Sequence, residues 1–207
     1  LTGFKLYATI TLSLSFAIGL FFLLPAALAH LAEARFGWSL WWGNVTEGVM
    51  RLALLVVYLY AVGFMANIRR VFAYHGAEHQ TINAFEAGAE LTPESVATFP
   101  LEHTRCGTSF LLTLVLISIV LFSLLGPMPW YERLLTRLAM MPVLAGIAYE
   151  YTRWTAAHLA SPLVRWMIRP NLALQRLTTR RPTADMLEVA IAAFEAMRAD
   201  ERQAAPV

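Results

Sequence analysis

Residues 6–32 read LYATITLSLSFAIGLFFLLPAALAHLA, a stretch without one Asp, Glu, Lys or Arg. An α-helix needs ~20 apolar residues to cross ~30 Å of bilayer hydrocarbon, and this run exceeds that length. Two further uncharged runs follow, from Leu52 to Ile68 and from Gly107 to Tyr131. A fourth stretch, Leu138 to about Val164, has comparable length but is interrupted by Glu150 and Arg153. The pattern predicts an all-α fold: a polytopic membrane helix bundle with about four transmembrane helices.

Composition agrees. The chain has 207 residues, 58% of them hydrophobic, and a mean hydropathy of +0.55, against roughly 45–50% apolar residues in soluble domains. Lys5 ahead of the first run resembles the start of a secretory signal, but such signals carry only ~7–15 apolar residues and end at a small-residue cleavage site. No such pattern closes the run before Glu33, so it is expected to remain as an anchor. The first residue is Leu1 and not Met, which leaves room for a cytosolic segment upstream. One cysteine, Cys106, excludes an intrachain disulfide. A formal charge of +2 argues against a nucleic-acid-binding surface.

The basic residues are distributed unevenly. In a four-span topology Lys5, Arg69, Arg70, Arg105, Arg153, Arg165, Arg169, Arg176, Arg180, Arg181, Arg198 and Arg202 share one side, and Arg35, Arg51, Arg133 and Arg137 the other. The positive-inside tendency then puts both termini and the 69–106 segment in the cytoplasm. Trp38, Trp41, Trp42, Trp130 and Tyr131 suit an aromatic belt at the opposite interface.

Two domains are expected: a bundle over 1–161 with a cytoplasmic insert at 69–106, and a cytoplasmic or interfacial helical segment over 162–207. Within the insert, Tyr74 to about Ala87 reads as helix with Gly88 as its stop, and Thr92-Pro93 as a cap and restart. Pro162 and Pro170 divide the chain beyond the fourth span into short pieces. Leu187, Ala190, Ile191 and Phe194 recur at helical spacing between Thr183 and Met197, which predicts an amphipathic helix.

His75 and His79, four apart on a helix, differ by ~40° in azimuth and ~6 Å in rise, so both imidazoles lie on one face. Such a pair can hold one metal ion or stand as two solvated histidines. Glu78 beside them completes H-x-x-E-H, in which a glutamate next to two metal-ligating histidines serves as general base. His103 and Cys106, just before the third apolar run, are candidate ligands at the same face; the alternatives are an interfacial loop histidine and a small buried hydrophobe. Arg105 between them suits an anionic substrate group, or snorkels to lipid phosphate. Glu150 lies ~20 Å of helical rise beyond Arg137, inside apolar sequence where an ionisable group is costly. It is a candidate metal ligand, or pairs with Arg153 three residues on. Glu86 shares the histidine face but stands ~16 Å and ~10 Å along the axis, too far to join both on one ion. Glu47 and Arg51 read as an interfacial ion pair.

From about Trp42 to Met197 the chain resembles the YqhQ-like family of bacterial multi-pass membrane proteins. The resemblance rests on Glu47-Gly48-Val49-Met50-Arg51-Leu52, Arg70-Val71-Phe72-Ala73-Tyr74-His75-Gly76-Ala77-Glu78-His79 and His103-Thr104-Arg105-Cys106-Gly107-Thr108-Ser109-Phe110. It continues through Ala145-Gly146-Ile147-Ala148-Tyr149-Glu150, Leu174-Gln175-Arg176-Leu177-Thr178-Thr179-Arg180 and Glu188-Val189-Ala190-Ile191-Ala192-Ala193. It implies a bacterial cytoplasmic membrane protein and suggests a metal-dependent enzyme, without naming a substrate. Thr104 stands where the family tends to have Pro and Gln80 where Lys is common; both are expected at the loop and helix surface. The soluble glycine-rich segment that family members usually carry ahead of the first span is not in this sequence; if that segment contributes to an active site, the chain is expected to be a fragment or a divergent member.

Three functions follow as expectations. The first is a hydrolase at the cytoplasmic membrane face, with His75, His79 and one or more of His103, Cys106 and Glu150 holding Zn²⁺ or another divalent transition metal, and Glu78 and Arg105 in the chemistry. Its substrate would be a peptide, a lipid or a small amphiphile. The second is a closed structural or sensory metal site. The third is a transporter or channel with Glu150 in the pathway, which four spans allow only in a homo-oligomer.

Overall fold

The computed structural model describes residues 3–125 and 128–204. Every regular element among them is a helix. Helix α1 (Gly3–Ile18), a π-helical turn (Gly19–Leu23) and α2 (Leu24–Phe36) follow without a break. The π turn has a cause in the sequence: Pro25 has no N–H to donate, and the ladder shifts register just ahead of it, with Leu24 bonding back to Gly19. Gly37, at φ +64°, closes α2 in the left-handed conformation. Then come α3 (Leu40–Val62), α4 (Ala66–Glu86), the single turn α5 (Pro93–Val96), α6 (Gly107–Leu124), α7 (Trp130–Ala157), α8 (Pro162–Met167), α9 (Arg169–Thr178) and α10 (Ala184–Ala204).

Three of these segments, Gly3–Phe36, Trp41–Val62 and Gly107–Leu124, are long and apolar enough to cross a membrane. The expected fourth, Leu138 to about Val164, overlaps α7 only as far as Ala157, beyond which the chain turns and α8 begins; α7 is long but carries Glu132, Arg133 and Arg137 near one end and Glu150 and Arg153 near the other. Gly88 at φ +71° ends the α4 region, and Thr92 caps α5 by accepting from the Ser95 N–H with Pro93 behind it. Both signals act as read. Helix α4 starts earlier than Tyr74, directly after a break at Gly63–Met65 that splits the uncharged run 52–68.

The chain divides into two compact units. Unit 1 comprises Leu1–Tyr58 and Leu111–Tyr151. Its interior holds a charged cluster. Glu47 on α3 pairs with Arg51 at 2.8 Å and with Arg137 of α7, and all three side chains are buried. The pair expected at an interface is therefore enclosed, because α7 brings a second guanidinium to the same carboxylate. Unit 2 comprises Leu59–Phe110 and Thr152–Val207. Its core forms where α10 lays Leu187 and Ile191 against Ala77 and Ala84 of α4 and Val96 of α5. Alanine at these α4 positions lets the two helices approach closely, which sets the geometry of one side of the site.

Candidate metal centre

Helix α4 presents His75 and His79 one turn apart, ring centroids 4.3 Å from each other. Cys106, the residue before α6, brings its Sγ to 3.3 Å from His75 Nε2. One ligand atom from each of His75, His79 and Cys106 lies within 4.8 Å of the other two. An edge of a tetrahedron with Zn–N of about 2.0 Å and Zn–S of about 2.3 Å spans roughly 3.5 Å, close to the observed sulfur–nitrogen separation.

The ring orientations are fixed by backbone. His75 Nδ1 lies 2.9 Å from the Thr178 carbonyl and His79 Nδ1 2.6 Å from the Leu101 carbonyl. A carbonyl oxygen only accepts, so each Nδ1 carries a proton toward the backbone, which leaves Nε2 as the ring atom offered to Cys106 or to a metal. Metal-ligating histidines are held in this way. Burial pushes the Cys106 thiol up, but hydrogen bonds from His75, His79 and Thr108 outweigh it and bring it down to about 5, so the thiolate form prevails at neutral pH. The Thr108 N–H, at the start of α6, points at the sulfur from 3.4 Å. The bond to Cys106 raises the His75 pKa against the opposing effect of burial.

Two polar clamps bring the cysteine to the histidines. The Gln80 amide donates to Ala97 O at 3.1 Å and Phe99 O at 2.7 Å, and the Asn83 amide to Pro100 O at 2.9 Å and Glu102 O at 3.1 Å. Together they fold the 97–102 segment back along α4. Gln80, expected on the helix surface, is buried at 5% exposure because this segment covers it. From α9, fully buried Gln175 accepts from His103 N, donates to His103 O, both at 2.8 Å, and donates to Ser109 Oγ at 2.6 Å. Beyond Thr178 the chain runs along α4, with Arg180 N–H on Phe72 O at 2.9 Å. A Cβ at Gly76 would collide with the Arg180 carbonyl, so glycine allows the close approach.

The remaining predicted residues take up different places. His103 is next to the group and outside it, its ring 5.8 Å from that of His79. Its buried Nε2 makes no hydrogen bond among the described residues, although Glu86 Oε2 stands 3.5 Å away. Burial and neighbouring His79 lower its pKa. Arg105 is exposed and pairs with Glu86. Glu86 thus joins the surroundings through His103 and Arg105, a role its distance along the helix had argued against only for direct ligation. Glu78 is exposed and lines, with His75, His79, His103, Arg105 and Cys106, a cleft of about 430 Å³ to which Phe85, Phe194 and Met197 add apolar surface. Glu150 belongs to unit 1, exposed on α7, and is not one of the three grouped ligands. The sequence reading attached no role to Gln175, Thr178 or the α10 wall. The Leu174–Arg180 run quoted for the family resemblance was the available signal.

Residues 1–200 match the family described as "Protein of unknown function (DUF1385)". The chain is 34% identical over 198 residues to the "Uncharacterized protein YqhQ" of Bacillus subtilis (strain 168), covering 93% of this chain and 62% of that protein. It therefore spans less than two thirds of the length of this curated relative. No solved structure matches.

Proposed function

We propose, for a chain that belongs to the DUF1385 family, a metal-dependent hydrolase acting at the cytoplasmic face of a bacterial membrane. The observation that carries this reading is the convergence of His75, His79 and Cys106, both rings oriented by carbonyls, on one point beside an open cleft. Three protein ligands in a site facing a cleft leave a coordination position for substrate or water, whereas a structural site is closed by four. Two imidazoles and a thiolate suit Zn²⁺. The ion would supply Lewis acidity, making a held water acidic near neutral pH.

The protein's own groups supply the rest. Glu78, one residue from His79 and on the cleft wall, takes the proton from the attacking water and returns it to the leaving group. Arg105 faces the same space and attracts an anionic part of the substrate. Phe85, Phe194 and Met197 offer it an apolar surface, which favours an amphiphile or a lipid-proximal peptide. The three long apolar helices support placement in a membrane.

The test pairs metal analysis with function. Purified protein should hold about one transition-metal ion per chain, lost when His75 and His79 are both changed to Ala. Glu78→Gln should keep metal and thermal stability yet lose activity by about 10²–10⁴-fold, because the amide cannot accept a proton. Full cellular function in that variant would sink the hydrolase and leave a structural metal site.

A second reading draws on the 3.3 Å Cys106–His75 contact at the start of α6, which is also the arrangement of a thiolate nucleophile with an imidazole partner. It predicts a metal-free, active protein that iodoacetamide inactivates at Cys106. The hydrolase predicts protection of Cys106 by the bound metal.

A further inference from the structure

Unit 1 holds a second polar cluster that the metal site does not use. Arg133 and Arg137 lie one turn apart on α7 and so project from one face. Arg133 gives one N–H to Glu33 at 3.2 Å; Arg137 pairs with Glu47 and gives another N–H to Asn44 Oδ1 at 3.2 Å. Arg51 shares Glu47 from the other side. Within this described cluster three guanidiniums meet two carboxylates, and their side chains are 12% exposed or less. Among these five groups one positive charge is left in excess on largely buried side chains, and an uncompensated buried charge draws an anion.

The same two arginines border a cavity of about 460 Å³, a volume within the range of small-ligand sites. Glu33, already paired with Arg133, and His30 also line its polar end, and the other walls are apolar, Phe22, Leu23, Ala26, Ala27 and Leu134 among them. A cationic end joined to an apolar hollow fits a molecule with an anionic head and a hydrocarbon tail. A guanidinium has five donors in a planar fork that matches phosphate oxygens, so each arginine retains capacity for a headgroup beyond its present partners.

We propose that unit 1 binds one anionic phospholipid, its phosphate on Arg133 and Arg137 and an acyl chain in the cavity beside α2. This site is independent of the metal centre and rests only on the helices of unit 1 lying in a bilayer. The surplus guanidinium selects the headgroup charge, and the apolar wall holds the chain without regard to it.

The experiment uses the whole chain, reconstituted in bilayers of phosphatidylglycerol and phosphatidylcholine in equal amounts with matched acyl chains. After release into mild detergent, native mass spectrometry counts the retained lipids. One phosphatidylglycerol per chain is expected, at least about fivefold over phosphatidylcholine, since only the former carries net charge for the guanidiniums. Arg133→Gln should abolish that preference, and Ala27→Trp, which fills the hollow and leaves every charge in place, should reduce retention of phosphatidylglycerol by about tenfold. Circular dichroism and the melting temperature report whether each variant still folds, and the wild-type competition decides without either. Equal retention of the two lipids, retention of neither, a dimer that takes the place of lipid, or a preference that survives either substitution in a folded protein would each overturn the proposal.

Discussion

At the scale of single residues, the candidate site depends on side chains that touch no ligand atom. Gln175 is the clearest. Its amide satisfies the His103 N–H, the His103 carbonyl and the Ser109 hydroxyl, all buried. Gln175→Leu keeps the volume but strands these partners, and at roughly 1–3 kcal/mol for each unsatisfied buried group, with incomplete additivity, a loss of about 3 kcal/mol is expected. Because the same amide fixes the loop that delivers Cys106, zinc affinity should fall by about 10–100-fold, as for other residues that orient ligands. Chemical denaturation and competitive zinc titration of the variant check the two numbers separately. Gly76 makes the complementary case. Gly76→Ala adds one methyl where the Arg180 carbonyl already sits, so the 178–181 segment must withdraw from α4. A cost of about 1–3 kcal/mol is expected from such overpacking, together with loss of the Thr178 carbonyl from His75. A lowered melting temperature with weakened metal binding is the expected pair; a variant as stable as wild type would contradict the packing.

At the scale of elements, the helical pattern gave reliable information and the loops did not. One-turn spacing alone put His75 and His79 on a shared face, and apolar periodicity alone located α10. Which of His103, Cys106 and Glu150 would meet them was not legible, because that depends on how 97–106 folds back. The amides of Gln80 and Asn83 decide this by capturing four carbonyls, and nothing in the spacing of a Gln and an Asn distinguishes such a clamp from a solvated helix face. The role of α10 was half legible: its apolar stripe announced a partner, but only the alanines of α4 show which one. Leu187, 3% exposed, inserts among Ala77, Ala84 and Val96. Leu187→Ala should cost about 2–5 kcal/mol, the range for a buried leucine that leaves a cavity. Since the outer turns of α10 carry Phe194 and Met197 on the cleft wall, limited proteolysis of the variant should cut within 184–204 before it cuts α4.

At the scale of the whole molecule, the number of membrane crossings follows from unit 2 once the apolar helices are placed in a bilayer. The 59–110 and 152–207 segments belong to one compact unit, joined by the bonds of His75 to Thr178, of Gln175 to His103 and of Arg180 to Phe72. Both segments must then lie on one side of the membrane. Helix α6 carries the chain away from that side directly after Cys106, so the chain has to return before residue 152. Only α7 lies in between. At 28 residues it extends ~42 Å, enough to cross ~30 Å of hydrocarbon, and of its charges Arg137 is buried inside unit 1 against Glu47. Hydropathy would pass over such a crossing because Arg137, Glu150 and Arg153 lower the score, although Arg137 is held by Glu47 of another helix. A three-crossing chain would put its ends on opposite sides, a four-crossing chain on the same side, and under the proposed topology the twelve-to-four split of basic residues favours the cytoplasm for that side. A reporter fused after Val207 is therefore expected to be cytoplasmic, and one inserted between Trp38 and Asn44 external. A C-terminal reporter found outside, with the 69–106 segment still inside, would mean that α7 does not cross, and the hydrogen bonds that assemble the metal centre could not then form in one chain.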